Sequence, residues 1–114
     1  SINMKKTLGF IIFGLCTFSA YATVQCVGVP ERVYAGFHGA YPAEQSFAVM
    51  LKNISGKIVL GHVTDDLARA RYSMALATQR SSSELVIQFY SFSSPDDCYT
   101  AISAKAIPTS MYTE

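Results

Sequence analysis

His38 and His62 are the two histidines of the chain, and with four aspartates and many serines they supply, on paper, a serine–histidine–aspartate catalyst. No serine sits in the Gly-x-Ser-x-Gly turn that presents a nucleophile, and no recognisable oxyanion loop accompanies one. Asp96-Asp97 beside Cys98 suggests a carboxylate pair for acid–base work, yet Pro95 before it makes a solvated turn the simpler reading. His62 with Asp65 or Asp66 falls short of a metal-ligand set, and two distant cysteines lack the short spacing of a zinc site. Arg69 and Arg71 fall on different helix faces and make no phosphate clamp. The expectation is a protein that is not an enzyme and uses no metal or cofactor.

A binding surface is better supported by residue type. Phe37, His38 and Tyr41 fall in the first long loop, and Phe92, Ser93, Ser94 and Asp96 fall in a later one. Aromatic rings pack on the C–H face of a sugar while hydroxyls and carboxylates bond its hydroxyl groups. Phe37, His38, Tyr41, Ser93 and Asp96 are therefore the candidate ligand-binding residues. Phe37 and Phe92 have a second reading, as core residues at strand ends.

The compartment follows from the first residues. Ser1-Ile2-Asn3 precedes a natural start methionine and reads as a remnant outside the fold. Met4-Lys5-Lys6 is a basic n-region, residues 8–18 form an apolar h-region with Ile11, Ile12, Phe13 and Leu15, and Ala20-Tyr21-Ala22 is a small-x-small cleavage site ahead of Thr23. The apolar run is broken by Gly9, Gly14 and Thr17 and is too short for a spanning helix, which needs about 20 apolar residues. A lipid anchor at Cys16 would require a small residue where Leu15 stands. Residues 4–22 thus read as a secretory signal peptide, and residues 23–114 as one exported domain, periplasmic or secreted, with no membrane span.

Loss of Lys5 and Lys6 turns a net charge of +1 into seven basic against eight acidic residues. A domain so near neutrality lacks the electrostatic footprint for nucleic acid or anionic membranes. Of three cysteines, Cys16 leaves with the leader, and an oxidising compartment predicts a Cys26–Cys98 disulfide. Chain entropy gives such a long crosslink about 3–5 kcal/mol.

The pattern along residues 23–114 is mostly strand. Residues 24–29 and 32–37 are strand candidates joined across a bend at Pro30. Residues 46–52 alternate Phe47, Val49 and Leu51 against Ala48 and Met50, Asn53-Ile54-Ser55-Gly56 turns, and residues 57–63 return as a hairpin strand. Thr64 caps a helix reaching Arg80, with Asp65 and Asp66 in its first turn. Leu67, Ala70, Met74 and Ala77 form one apolar stripe, with Tyr72 and Leu76 nearly opposite, so one face is expected on the sheet and the other on a neighbour. Residues 84–92 are the strongest strand, residues 99–107 a final strand closed by Pro108, and residues 109–114 a frayed tail. The order β-β-β-α-β-β is that of a mainly β, five-stranded OB-fold-like barrel, and a half-barrel α+β fold has similar content.

Three segments carry a family resemblance. Leu67-Ala68-Arg69-Ala70-Arg71-Tyr72 with Leu85-Val86-Ile87-Gln88-Phe89 resembles the helix-to-strand unit of subtilase-cytotoxin and pertussis-like B subunits. Cys98-Tyr99-Thr100-Ala101-Ile102-Ser103-Ala104 resembles the closing strand of heat-labile enterotoxin B subunits. The resemblance, to binding subunits of toxins that join one A subunit to five B subunits, covers residues 57–107. It implies an OB barrel, a homo-oligomer (a pentamer) built through edge strands with helices around a pore, a toxin A subunit as partner, and a cell-surface glycan as ligand. The chain has no tryptophan, lacks the second disulfide of some relatives and shows no match to the family's sugar-contacting motif. The expected function is a secreted, glycan-recognising binding protein, and the alternative is a small periplasmic inhibitor or immunity-type protein with one enzyme partner.

Overall fold

The computed structural model describes residues 23–36, 45–92 and 97–114. It is mainly β, with two antiparallel sheets of three strands each. The elements run β1 (Val24–Gly28), β2 (Pro30–Ala35), β3 (Ser46–Leu51), β4 (Ile58–His62), α1 (Asp66–Ser81), β5 (Leu85–Phe89), α2 (Cys98–Ser103) and β6 (Ser110–Thr113). One sheet is ordered β1-β5-β6 and the other β2-β3-β4.

Only Val29 separates β1 from β2, so a single bent run serves both sheets. The bend falls at Pro30, which lacks the N–H a continuous ladder needs. Strand β3 holds the bend from outside: Lys52 N–H donates to the Val29 carbonyl at 2.9 Å, and the Asn53 amide donates to the Val27 carbonyl at 3.1 Å. A Cβ on Gly28 would meet the Asn53 amide, so a side chain there would displace Asn53 from its bond to Val27.

Alternation sets the core, because successive strand side chains point to opposite faces. Cys26, Val49, Leu51, Leu60, Ile87 and Phe89 are fully buried or nearly so, and the first of these carries the disulfide to Cys98 (Cα–Cα 5.3 Å). The β1–β5 register sets Cys26 opposite Ile87 in mid-strand. The staple therefore fastens α2 to the middle of β1.

Helix α1 packs on the other sheet by a face one residue away from the expected stripe. Ala68, Arg71, Ala75 and Thr78 are the buried positions, whereas Leu67 stays 57 % exposed. Close approach decides this choice. The Ala68 side chain lies where only a glycine, Gly61, fits beneath it, and the Tyr72 ring stacks on Phe47 with centroids 4.4 Å apart.

Three further expectations are corrected. Asp65, not Thr64, caps α1, its carboxylate accepting from Leu67 N–H, while Thr64 turns back to His62. Residues expected as the closing strand begin with α2, a helix of six residues. Asp97 caps it, accepting from Thr100 N–H and Oγ at 3.1 Å each. That cap offers the chain a local alternative to strand pairing. The expected tail is instead β6, which pairs with β5 from Ser110↔Gln88 to Thr113↔Leu85. The mainly β class is as expected, and among the described residues the strands form two sheets with no ladder joining β4 to β6. No described helix is long and apolar enough to cross a membrane.

Candidate functional site

All five residues expected to bind ligand, Phe37, His38, Tyr41, Ser93 and Asp96, lie outside the described residues, as does the whole leader. Their stems are defined. Residues 37–44 depart where Gly36 N–H donates to the Ser46 carbonyl at 2.8 Å, next to Ala35↔Phe47. Residues 93–96 depart after Phe92, whose ring meets Phe89 edge-on at 6.4 Å, and end at the Asp97 cap. Phe92 is thereby a core-packing residue, the second of its two readings. The stems leave opposite ends of the bent run, one past Ala35 and the other beside the Val24↔Phe89 pair.

The chemistry that is described collects where β4 faces the chain between α2 and β6. A bulge starts it: Phe47 pairs Gly61 and Ala48 pairs Val59, which leaves Leu60 without a partner in the ladder. Gly61 takes φ +124°, a left-handed conformation that side chains rarely adopt, and a Cβ there would come within 2.8 Å of Ala68. The Arg71 guanidinium occupies the gap. One amino group donates to the Leu60 carbonyl at 2.8 Å and the other to the Pro108 carbonyl at 3.1 Å. One planar fork thus ties the bulge of one sheet to the approach to the other sheet's edge.

Arg71 is 9 % exposed and makes no ion pair among the described residues, an unusual state for arginine. Burial pushes the guanidinium below its ordinary value, and the negative charge of Asp65 opposes that shift. Arg69, two residues earlier, behaves oppositely: it is exposed, pairs with Asp66 and donates to the Val63 carbonyl at 3.0 Å. The two arginines do part to different faces.

Cavities flank the strut. One, of about 200 Å³, is lined by Ser46, Val59, Gly61, His62, Ala104, Lys105 and Ile107. Another, of about 240 Å³, lies between α1 and β6, against Leu67, Met74 and Met111 with Arg71 in its wall. In the first, the Thr64 backbone N–H donates to His62 Nδ1 at 3.1 Å and the Thr64 hydroxyl lies 2.6 Å from the same nitrogen. Nδ1 is therefore an acceptor, and the ring proton resides on Nε2. No group of three or more His, Cys, Asp or Glu side chains able to hold a metal occurs among the described residues.

The sequence marks neither Ser46 nor Lys105, and Arg71 stands out in it only beside Arg69, as half of a phosphate clamp that the helix faces rule out. For Arg71 a signal existed: positions 68, 71, 75 and 78 share one helix face, and three of them are small. A long side chain amid small ones at that spacing is a strut between packed elements. For Ser46 and Lys105 no local signal existed, because the bulge that aligns them with His62 is a tertiary feature.

No protein-family model matches the chain, and no curated protein or solved structure matches it.

Proposed function

We propose that the chain is an exported, non-enzymatic binding module of OB type that recognises a cell-surface glycan as a homo-oligomer. One observation carries the reading. Taken in spatial order, β4-β3-β2 runs through the shared bent strand into β1-β5-β6, with α1 inserted between β4 and β5. That order supports an OB-type reading, although no β4–β6 ladder is formed among the described residues. An exposed edge strand is a ready template for pairing with another chain, so β6, part exposed and with β5 as its one ladder partner among the described residues, favours assembly through neighbouring copies. The exposed Leu67, at the start of α1, and Tyr112, on β6, stand on the elements that flank this opening.

The glycan reading rests on the aromatic and hydroxyl residues of the two loops, Phe37, His38, Tyr41, Ser93 and Asp96. A pentamer and a toxin A subunit are what the family resemblance adds. Size-exclusion chromatography with light scattering on the exported domain tests assembly, and a glycan array tests ligand class. A multimer with a defined set of glycan hits is the expected result. A monomer at micromolar concentration, with no hits, overturns the reading.

A further inference from the structure

The cavity beside β4 has features that neither folding nor glycan recognition by the loops requires. Ser46 is 1 % exposed, stands in its wall, and its hydroxyl has no hydrogen-bond partner among the described residues; only its backbone is used, in the bond from Gly36. Buried hydroxyls in native proteins are nearly always satisfied by protein groups or ordered water, so one in a cavity wall is able to bond a polar group of a guest there. Lys105 stands on the same wall with φ 55°, in the left-handed region, and has no ion pair among the described residues. That turn is the Schellman ending of α2, with Lys105 N–H donating to the Ile102 carbonyl and Ala106 N–H to the Ala101 carbonyl, and it fixes Lys105 at the rim of the cavity. His62 adds Nε2–H, the ring group that Thr64 leaves unused.

The donor balance selects the ligand. Ser46, His62 and Lys105 can all donate, and no carboxylate or side-chain amide lines the cavity to accept. A neutral sugar, which brings about as many donors as acceptors, is poorly matched. The remaining side chains of the wall, Val59, Ala104 and Ile107, are apolar, so a fully hydrated inorganic anion is also poorly matched. We propose that this cavity binds a small organic monocarboxylate with an apolar tail. The carboxylate meets Ser46, His62 and Lys105, and the tail lies on Val59, Ala104 and Ile107. A volume of about 200 Å³ is below that of drug-sized pockets, which restricts the tail to a short chain, about four to eight carbons.

The test titrates the full chain with butyrate, hexanoate and octanoate, reading Kd from the saturable rise in Tm and from amide shifts by NMR. Hexan-1-ol, hexanamide and inorganic phosphate serve as controls. Saturable binding of an acid, absent with the neutral compounds and with phosphate, is expected. Lys105→Asn keeps a residue that tolerates the left-handed backbone and removes the charge, and it should weaken hexanoate roughly tenfold or more. Ser46→Ala should leave the Tm of the ligand-free protein unchanged or raised, yet also weaken hexanoate by about tenfold. No saturable binding up to about 10 mM, equal binding of hexan-1-ol or hexanamide, or indifference to both variants overturns the proposal. A Ser46→Ala protein that is destabilised without ligand also overturns it, because the hydroxyl would then have an internal partner. The outcome is independent of the glycan array, which reports on the loops.

Discussion

The two sheets meet twice, and the two junctions are built differently. On one side they share the bent run of β1 and β2, clamped by Lys52 and Asn53 and locked to α2 by the Cys26–Cys98 bond. On the other side no ladder forms among the described residues, and a guanidinium spans from Leu60 to Pro108 with cavities nearby. The first junction consists of covalent chain, a disulfide and buried side chains. The second, among the described residues, has no ladder and is bridged by the two hydrogen bonds of one side chain, with cavities beside it. Stability belongs to the first, and room for a ligand or a partner belongs to the second. Low local stability is what binding regions commonly show.

This contrast can be broken most forcefully at the disulfide. Cys26→Ser should lower the unfolding free energy by about 3–5 kcal/mol in a urea titration, because the crosslink closes a long loop. It would also release α2 and the loop that precedes it, so any glycan binding through Ser93 or Asp96 should fall with it. Unchanged stability in that variant would remove the first junction from the account.

At the second junction the effects are smaller. Gly61→Ala forces a side chain into a left-handed backbone and into Ala68, and should cost about 1–3 kcal/mol by the same titration. Arg71→Met leaves two buried carbonyls without their donor, a loss of about 1–3 kcal/mol, reduced because a buried charge is removed as well. Arg71→Lys should not restore it, since a point ammonium cannot span both carbonyls. If Lys does restore stability, the fork geometry is not what holds the seam. The smallest change is Asp97→Ala, which removes the α2 cap at about 0.5–2 kcal/mol, readable as faster amide exchange at Thr100.

Much of this architecture is legible in the chain itself. The alternation of Phe47, Val49 and Leu51, the Asn53–Gly56 turn, the helix after Thr64 and the pairing of Cys26 with Cys98 all follow from local pattern and residue chemistry. The errors share one physical cause, which is competition between a local signal and a tertiary one. Residues 99–107 alternate acceptably for a strand, but the Asp97 cap and the crosslinked Cys98 turn their first part into a helix. The stripe of Leu67, Ala70, Met74 and Ala77 is apolar, yet the sheet takes the face of Ala68 and Ala75 because small residues allow closer approach. Thr109–Glu114 looked like a tail only because β5, its partner strand, lies about twenty residues upstream. The cavity of Ser46, His62 and Lys105 unites three distant points of the chain through a bulge that no local pattern announces.

Amide hydrogen exchange on Arg71→Met, compared with the parent protein, tests the contrast between the junctions most directly. Protection should fall at β4 and β6 while the amides of β1 and β5 keep theirs, since the disulfide-bearing side does not depend on the strut. An equal loss of protection across β1, β4, β5 and β6 would contradict it. The seam would then belong to the same cooperative unit as the rest of the core.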